Sequence, residues 1–257
     1  MPDILRILAK DAKRTIAEGY YEIEQTHPRR NVGLKESILR CKKNAIVAEI
    51  KTASPSRGTI VEKVDAESVA LMMQRGGAVG LSIVTEPKHF RGKIEYLITV
   101  RKCVLPRLMK DIIIDPIQIE AAAKIGAEAV LLIKSLFESD LCNATLEAMI
   151  DLAHAKELEV VLETHTKEQF AEALTTKADL IGINNRNLSD FQTDLRTTKN
   201  ILDVCNPKDR IVVSESGIET AEHIQFLRNC GARAFLVGSS IMSASHPEQK
   251  VRELVEA

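Results

Sequence analysis

Short apolar runs rich in β-formers recur along the chain: AIVAEI (45–50), VGLSIV (79–84), VLPRLM (104–109), AVLLI (129–133), VVLE (160–163), LIGI (180–183), IVVS (211–214) and AFLVG (234–238). Their spacing, roughly 20–35 residues, is that of a strand–loop–helix unit. The runs are near-continuous rather than alternating, which predicts parallel strands covered on both faces.

Helical patterns fill the gaps. DAESVALMMQRGG (65–77) begins at an Asp cap and ends at Gly, and DPIQIEAAAKIGA (115–127) adds Pro in its first turn. SDLCNATLEAMIDLAHAKE (139–157), TKEQFAEALTTK (166–177) and TAEHIQFLRNCG (220–231) carry comparable periodicity. Eight such units predict an α/β fold, a single (β/α)8 TIM barrel with an N-terminal helical extension. A doubly wound sheet is the runner-up, but no GxGxxG follows the first strand. The division expected is residues 1–44 as the extension and 45–257 as the barrel, in one structural domain. Within 1–44, Asp3 can cap a helix whose apolar face is Ile4, Leu5, Ile7, Leu8 and Ile16. That helix either plugs the barrel bottom or forms a lid and substrate wall.

Composition narrows the classes. The 257 residues are typical of one barrel, and a formal charge of −1 lacks the basic excess of a nucleic-acid protein. The longest apolar runs are too short to span a bilayer. Asp3, Arg6 and Lys10 interrupt any signal-peptide core, so a cytoplasmic location is expected. The five cysteines are scattered with no CxxC pair, and the six histidines show no HxxxH, so reduced packing thiols and no metal are expected.

Barrel active sites form at the C-terminal strand ends. Polar residues gather there: Glu49 and Lys51, Lys110 and Asp111, Glu163, Asn184–Asn185–Arg186, Glu215–Ser216–Gly217, and Gly238–Ser239–Ser240. Glu49 and Lys51 lie two apart and so share one face of the first strand. If that face is the barrel interior, each charge needs compensation; the alternative is a simple ion pair at the rim. SESGI (214–218) and VGSS (237–240) place Gly and Ser directly after β-runs, where backbone N–H groups can approach a phosphate; the alternative is two ordinary turns.

EIKTASPSRG (49–58) resembles the E-x-K-x-x-S-P-S-x-G signature of the indole-3-glycerol phosphate synthase family. The resemblance continues through SIVTEPKHFRG (82–92), LPRLMKDIIIDPIQI (105–119), LLIKSL (131–136), VLETHT (161–166), IGINNRNLSDFQTDL (181–195), VSESGI (213–218) and FLVGSSIM (235–242). It implies a cofactor-free lyase of tryptophan biosynthesis. The substrate, 1-(2-carboxyphenylamino)-1-deoxyribulose 5-phosphate, closes a ring and loses carbon dioxide and water.

By that resemblance Lys110 is the general acid of ring closure and Glu163 the acid/base group of dehydration. Lys51 lies beside the substrate, binding it or sharing proton transfer, and Glu49 orients and tunes the lysines. Lysine ordinarily titrates near roughly 10.4, so such an acid need only stay charged. Asn184 and Arg186 match positions near the anthranilate carboxylate, though Arg186 could instead make a structural ion pair behind the sixth strand. Ser54, Ser216, Gly217, Gly238 and Ser239 match positions around carboxylate and phosphate, Glu215 a polar site residue, and Phe90 an aromatic wall.

Ile112 and Ile117 stand where that family usually has Phe and Tyr, and Met109 is expected to face away from the axis. His89 and His165 flank site loops with no evident partner at catalytic spacing. The competing readings are a phosphoribosylanthranilate isomerase-like phosphate-binding barrel, which needs a Cys/Asp pair, and a non-catalytic phospholigand-binding subunit. The expected partner is a phosphorylated small molecule, with neither nucleic acid nor membrane. The chain is expected as a monomer or weak homodimer with scope for contact with other tryptophan-pathway enzymes.

Overall fold

The computed structural model describes residues 4–54, 58–188 and 191–257. Eight strands form a closed parallel barrel. They are β1 (Ala45–Ile50), β2 (Gly80–Val84), β3 (Arg107–Lys110), β4 (Ala129–Ile133), β5 (Glu159–Thr164), β6 (Leu180–Asn184), β7 (Ile211–Glu215) and β8 (Ala234–Val237). Closure is direct: β1 pairs with β8 through Val47 and Leu236 and with β2 through Val47 and Gly80. Closure leaves the barrel itself with no sheet edge to template association.

The side-chain period of two sorts each strand into two cores. Ala45, Val47, Leu108, Leu131, Val161, Val213 and Leu236 pack together inside the barrel. Ile46, Ala48, Ile50, Leu81, Ile83, Val130 and Leu132 face the surrounding helices, and Met109 joins them as its neighbours' register requires.

Two helices precede the barrel and take one end each. The second, Leu34–Arg40, plugs the N-terminal mouth: Leu34 and Ile38 join the interior cluster. The Lys35 N–H donates to Glu159 Oε2 at 3.0 Å, at the first residue of β5. The first, Ile4–Ala17, lies over the opposite mouth, where Leu8, Ala9 and Ala12 pack with Ile112, Ile133 and Leu136. His89 Nε2 meets Asp11 Oδ2 at 2.9 Å, and the Tyr20 hydroxyl donates to the Thr85 carbonyl at 2.9 Å, tying this helix to the loop after β2. The first helix is therefore the wall over the site, and the plug is a helix the sequence pattern did not mark. Asp3, expected as its cap, lies outside the described residues, as do Pro55, Ser56 and Arg57 of the first motif.

Local signals set most helix starts. The Asp65, Asp115, Thr166 and Thr220 side chains each accept from a backbone N–H of the first turn, and Asp115 completes a capping box with Gln118. Two expectations need correction. The third strand is Arg107–Lys110 rather than 104–109, because pairing with β2 begins at Leu81↔Arg107 and Pro106 has no N–H to give a ladder. The helix expected over 139–157 starts later, as Leu146–Ala155, and a separate short helix, Lys134–Glu138, ends just before the expected span. Asp140, at φ 53°, leaves helical space between them, and Thr145 caps the second. Among the described residues no helix is long and apolar enough to cross a membrane.

Candidate active site

The C-terminal strand ends surround one cavity of ≈ 540 Å³. Every residue given a site role from the sequence lines it: Glu49, Lys51, Ser54, Phe90, Lys110, Glu163, Asn184, Arg186, Glu215, Ser216, Gly217, Gly238 and Ser239; Asn185, His89 and His165 do not. Of the two departures, Ile112 lines the cavity with Leu5, Leu8, Val84 and Ile133 as an apolar wall, whereas Ile117 sits in the first turn of helix Pro116–Lys124 and does not.

The floor is a charged cluster, because the last inward position of several strands carries a carboxylate or an amine. Lys110 Nζ donates to Glu163 Oε2 at 3.1 Å and stands 3.5 Å from Glu215 Oε2. Lys51 Nζ lies 2.6 Å from Glu49 Oε1, and Ser82 Oγ donates to the other Glu49 oxygen at 3.4 Å. Glu49 and Lys51 thus form a mutual ion pair, but one facing inward, with Glu49 2% exposed. Two glycines make room for the acids: a Cβ at Gly238 would fall on the Glu49 carboxylate, and one at Gly182 on that of Glu215.

Mutual placement sets the protonation states. Burial disfavours the Lys110 ammonium, but Glu163, Glu215 and Glu49 outweigh it and raise its pKa, so it stays charged at neutral pH. Burial pushes the Glu163 carboxyl up, yet Lys110, His165 and the Asn184 amide bring it down to about 2. Glu215 goes the other way. Burial dominates, Lys110 only partly offsets it, and repulsion from Glu163 and Glu49 adds to it, giving about 8. Lys110 is committed to Glu163, and neither Glu215 oxygen accepts a hydrogen bond.

At one end of the cavity Ser216 and Gly217 both have left-handed backbones, at φ 69° and 77°. Glycine takes this conformation freely; serine does so only when its surroundings hold it. Asn185 supplies the hold. Its Nδ2 donates to the Ser214 hydroxyl at 3.0 Å and to the carbonyls of Glu215 at 2.9 Å and Ser216 at 3.2 Å. Its Oδ1 accepts from the Thr198 hydroxyl at 2.8 Å. Ser240 Oγ donates to the Ile218 carbonyl at 2.9 Å, joining this turn to the one after β8.

At the side of the cavity, Glu86 accepts backbone N–H bonds from Lys88, His89 and Phe90 at 2.7–2.9 Å. Thr52 Oγ1 donates to the carbonyls of Phe90 and Arg91 at 3.2 and 2.9 Å. Together they fold the loop that presents Phe90. Asn184 Nδ2 donates to Glu163 Oε1 at 3.0 Å and its Oδ1 accepts from the Arg186 N–H at 2.9 Å. Arg186 Nη1 donates to the Phe191 carbonyl at 2.9 Å, so the guanidinium belongs to the cavity rim rather than the back of β6.

Several cavity residues were given no site role from the sequence. Glu86 follows a strand end and was open to the same argument as its neighbours, whereas Asp111 was placed at the end of the third strand but given no role. Asp111 is buried, which pushes its carboxyl up to about 7 against bonds from Thr85 and the Ile112 N–H. Thr193 and His223 come from elements whose docking no local pattern announces, while Leu5 and Leu8, on the apolar face of the first helix, and Ile133, the last residue of β4, reach the cavity without having been given a site role. The expectation that His89 and His165 lack partners is overturned for both: His89 Nε2 meets Asp11 Oδ2 at 2.9 Å, and His165 Nε2 lies 3.3 Å from Glu163 Oε1, an ion-pair distance without a hydrogen bond. Among the described residues no cysteine lines the cavity, so the Cys/Asp pair of the isomerase alternative does not form. Nor does any grouping of three or more His, Cys, Asp or Glu there offer a metal site.

Two solved structures share the fold at low sequence identity. Thiamine phosphate pyrophosphorylase from Pyrococcus furiosus has a TM-score of 0.60 at 19% identity, covering 84% of this chain and 95% of that one. The N-acetylmannosamine-6-phosphate 2-epimerase from Clostridium perfringens has 0.62 at 15%, covering 87% and 96%. Sequence relatives are nearer. The indole-3-glycerol phosphate synthase of Methanocaldococcus jannaschii is 40% identical over 252 residues, 96% of this chain and 91% of that protein. That of Desulforamulus reducens is 41% identical over 214 residues, covering 83% and 79%. The family model of indole-3-glycerol phosphate synthase matches residues 6–254. The chain belongs to the indole-3-glycerol phosphate synthase family, carboxy-lyases of tryptophan biosynthesis.

Proposed function

We propose that this cavity closes the indole ring of 1-(2-carboxyphenylamino)-1-deoxyribulose 5-phosphate, with Lys110 as the general acid and Glu163 as the acid/base group of dehydration. The observation that carries the assignment is the Lys110 ammonium, held inside the barrel beside two carboxylates at 3.1 and 3.5 Å. A charged donor so placed can protonate the ketone oxygen as the aromatic carbon attacks the carbonyl carbon. Loss of carbon dioxide from that ring carbon restores the aromatic system. Glu163, ionised at neutral pH, then takes the proton from the neighbouring ring carbon and returns it to the departing hydroxyl, which leaves as water.

The remaining roles follow from position. Ser216, Gly217, Gly238 and Ser239 bind the phosphate through the turns after β7 and β8. Asn184, Arg186 and Ser54 bind the anthranilate carboxylate, for which a guanidinium offers a bidentate fork. Phe90 and Ile112 flank the ring. Lys51, paired with Glu49, binds the substrate beside the reacting carbons, and Glu215 contacts it from the floor. The reading extends to a cytoplasmic chain acting as a monomer or weak homodimer, which sedimentation of the purified protein tests.

The chain contains no tryptophan, so its own fluorescence leaves the indole window clear. Incubation with the substrate should produce indole absorbance and fluorescence; silence from folded protein would refute the reading. Lys110→Ala and Glu163→Gln should each lower kcat by about 10² or more while KM changes little. Near-wild-type turnover in both would remove the assigned roles.

A further inference from the structure

His165 follows β5 two residues beyond Glu163 and does not line the cavity. Its Nε2 lies 3.3 Å from Glu163 Oε1, but out of line for a hydrogen bond. Neither ring nitrogen has a hydrogen-bond partner although both are buried, and an unpaired buried polar atom calls for an explanation. The position is built rather than incidental. The His165 N–H donates to Gln169 Oε1 at 2.9 Å, and Gln169 Nε2 donates to Ser135 Oγ at 2.9 Å and Glu138 Oε2 at 2.6 Å.

The charges facing the imidazole come from three elements. Glu163 shares its strand end, Lys110 reaches in from β3, and Glu138 approaches from helix Lys134–Glu138. Glu138 is itself paired with Lys134 at 3.1 Å, and Lys134 reaches on to Glu172 at 2.7 Å. Burial disfavours the imidazolium, so the ring is neutral at pH 7 and presents one N–H.

The need for a donor there follows from the reaction. While Lys110 is an ammonium it holds one Glu163 oxygen, and Asn184 holds the other. Once Lys110 has passed its proton to the ketone oxygen, that hold is gone and a buried carboxylate is left with the Asn184 amide. We propose that His165 is a positioning residue for Glu163, closing its Nε2–H on Oε1 so that the carboxylate keeps its place and charge until dehydration. The inference rests on the role assigned to Glu163 above.

Three variants test it. His165→Leu fills the space without a donor and should lower kcat about 10- to 100-fold, with KM within about threefold. Its acid limb in kcat against pH should move up by about one unit, because the carboxylate loses a donor and faces hydrocarbon. His165→Gln restores an N–H and should recover most of the rate. His165→Leu with kcat within about twofold of wild type and an unmoved limb, or His165→Gln as slow as His165→Leu, would overturn the proposal. Histidine NMR of the unsubstituted protein, with the His165 signal assigned by its loss in His165→Gln, covers the case of a leucine variant that does not fold. The His165 midpoint should fall in Glu163→Gln, which removes the neighbouring negative charge; an unchanged midpoint also overturns it. Normal turnover in Glu163→Gln would instead refute the role of Glu163 itself.

Discussion

Gly182 of β6 leaves open the space that the Glu215 carboxylate of β7 occupies, since a Cβ there would fall on Glu215 Oε1. The floor of the site thus depends on a missing side chain one strand away from the acid. Gly182→Ala would meet the far end of a flexible side chain rather than backbone, so the fold can absorb it by moving the carboxylate. The expected result is a Tm within about 5 °C of wild type. Turnover should fall on the order of 10²-fold as Glu215 is pushed from Lys110. Equal losses of stability and activity would show that the space serves packing alone.

Glu215 should make the protein sensitive to alkali. Its folded pKa, about 8, lies above the ordinary carboxylate value, so the native state holds the proton more tightly than the unfolded chain. The favourable contribution is fully present below the unfolded pKa, near 4.5, and is lost as pH rises from there through 8. Glu163 works in the opposite sense, its contribution being present above 4.5 and lost as pH falls towards 2. Glu215→Gln removes the first effect alone. Its Tm should exceed wild type by roughly 5 °C at pH 9 and match it within about 2 °C at pH 4.5. A gain independent of pH would contradict the assignment.

Asn185 secures the strained turn by serving three acceptors and the Thr198 hydroxyl. Asn185→Ala leaves these groups buried and unpaired, at a cost of about 2–3 kcal/mol. Relaxation of Ser216 and Gly217 should also raise KM for the phosphorylated substrate and weaken inhibition by inorganic phosphate, both readable in steady-state kinetics. An unchanged phosphate inhibition constant would separate the turn from anion binding.

The wall over the cavity is testable through Leu8, which is buried against Ile112 and Ile133 while lining the cavity. Leu8→Ala should destabilise by about 2 kcal/mol or more and loosen the first helix over the ring end. The expected signature is a raised KM with kcat reduced far less. If kcat falls while KM holds, the helix contributes to chemistry rather than to enclosure.

The pairing of Glu49 with Lys51 shows what is legible along a chain. Period two alone places both on one face, and eight apolar runs at the spacing of a strand–helix unit imply the closed sheet that makes this face the interior. The strand-end rule then collects Lys110, Glu163, Asn184 and Glu215 without a structure. Helix starts at Asp65, Asp115, Thr166 and Thr220 were equally local, because a cap involves residues two or three apart. Tertiary structure decided the rest. Only barrel closure sets Lys110 against two carboxylates from β5 and β7, and only that proximity separates Glu163, near 2, from Glu215, near 8. The same holds for Gly182 and Glu215, for His165 behind Glu163, and for which preceding helix covers which mouth. Side-chain periodicity and capping are properties of neighbours in sequence, whereas space, burial and Coulomb interaction depend on distances across the barrel that no local pattern encodes.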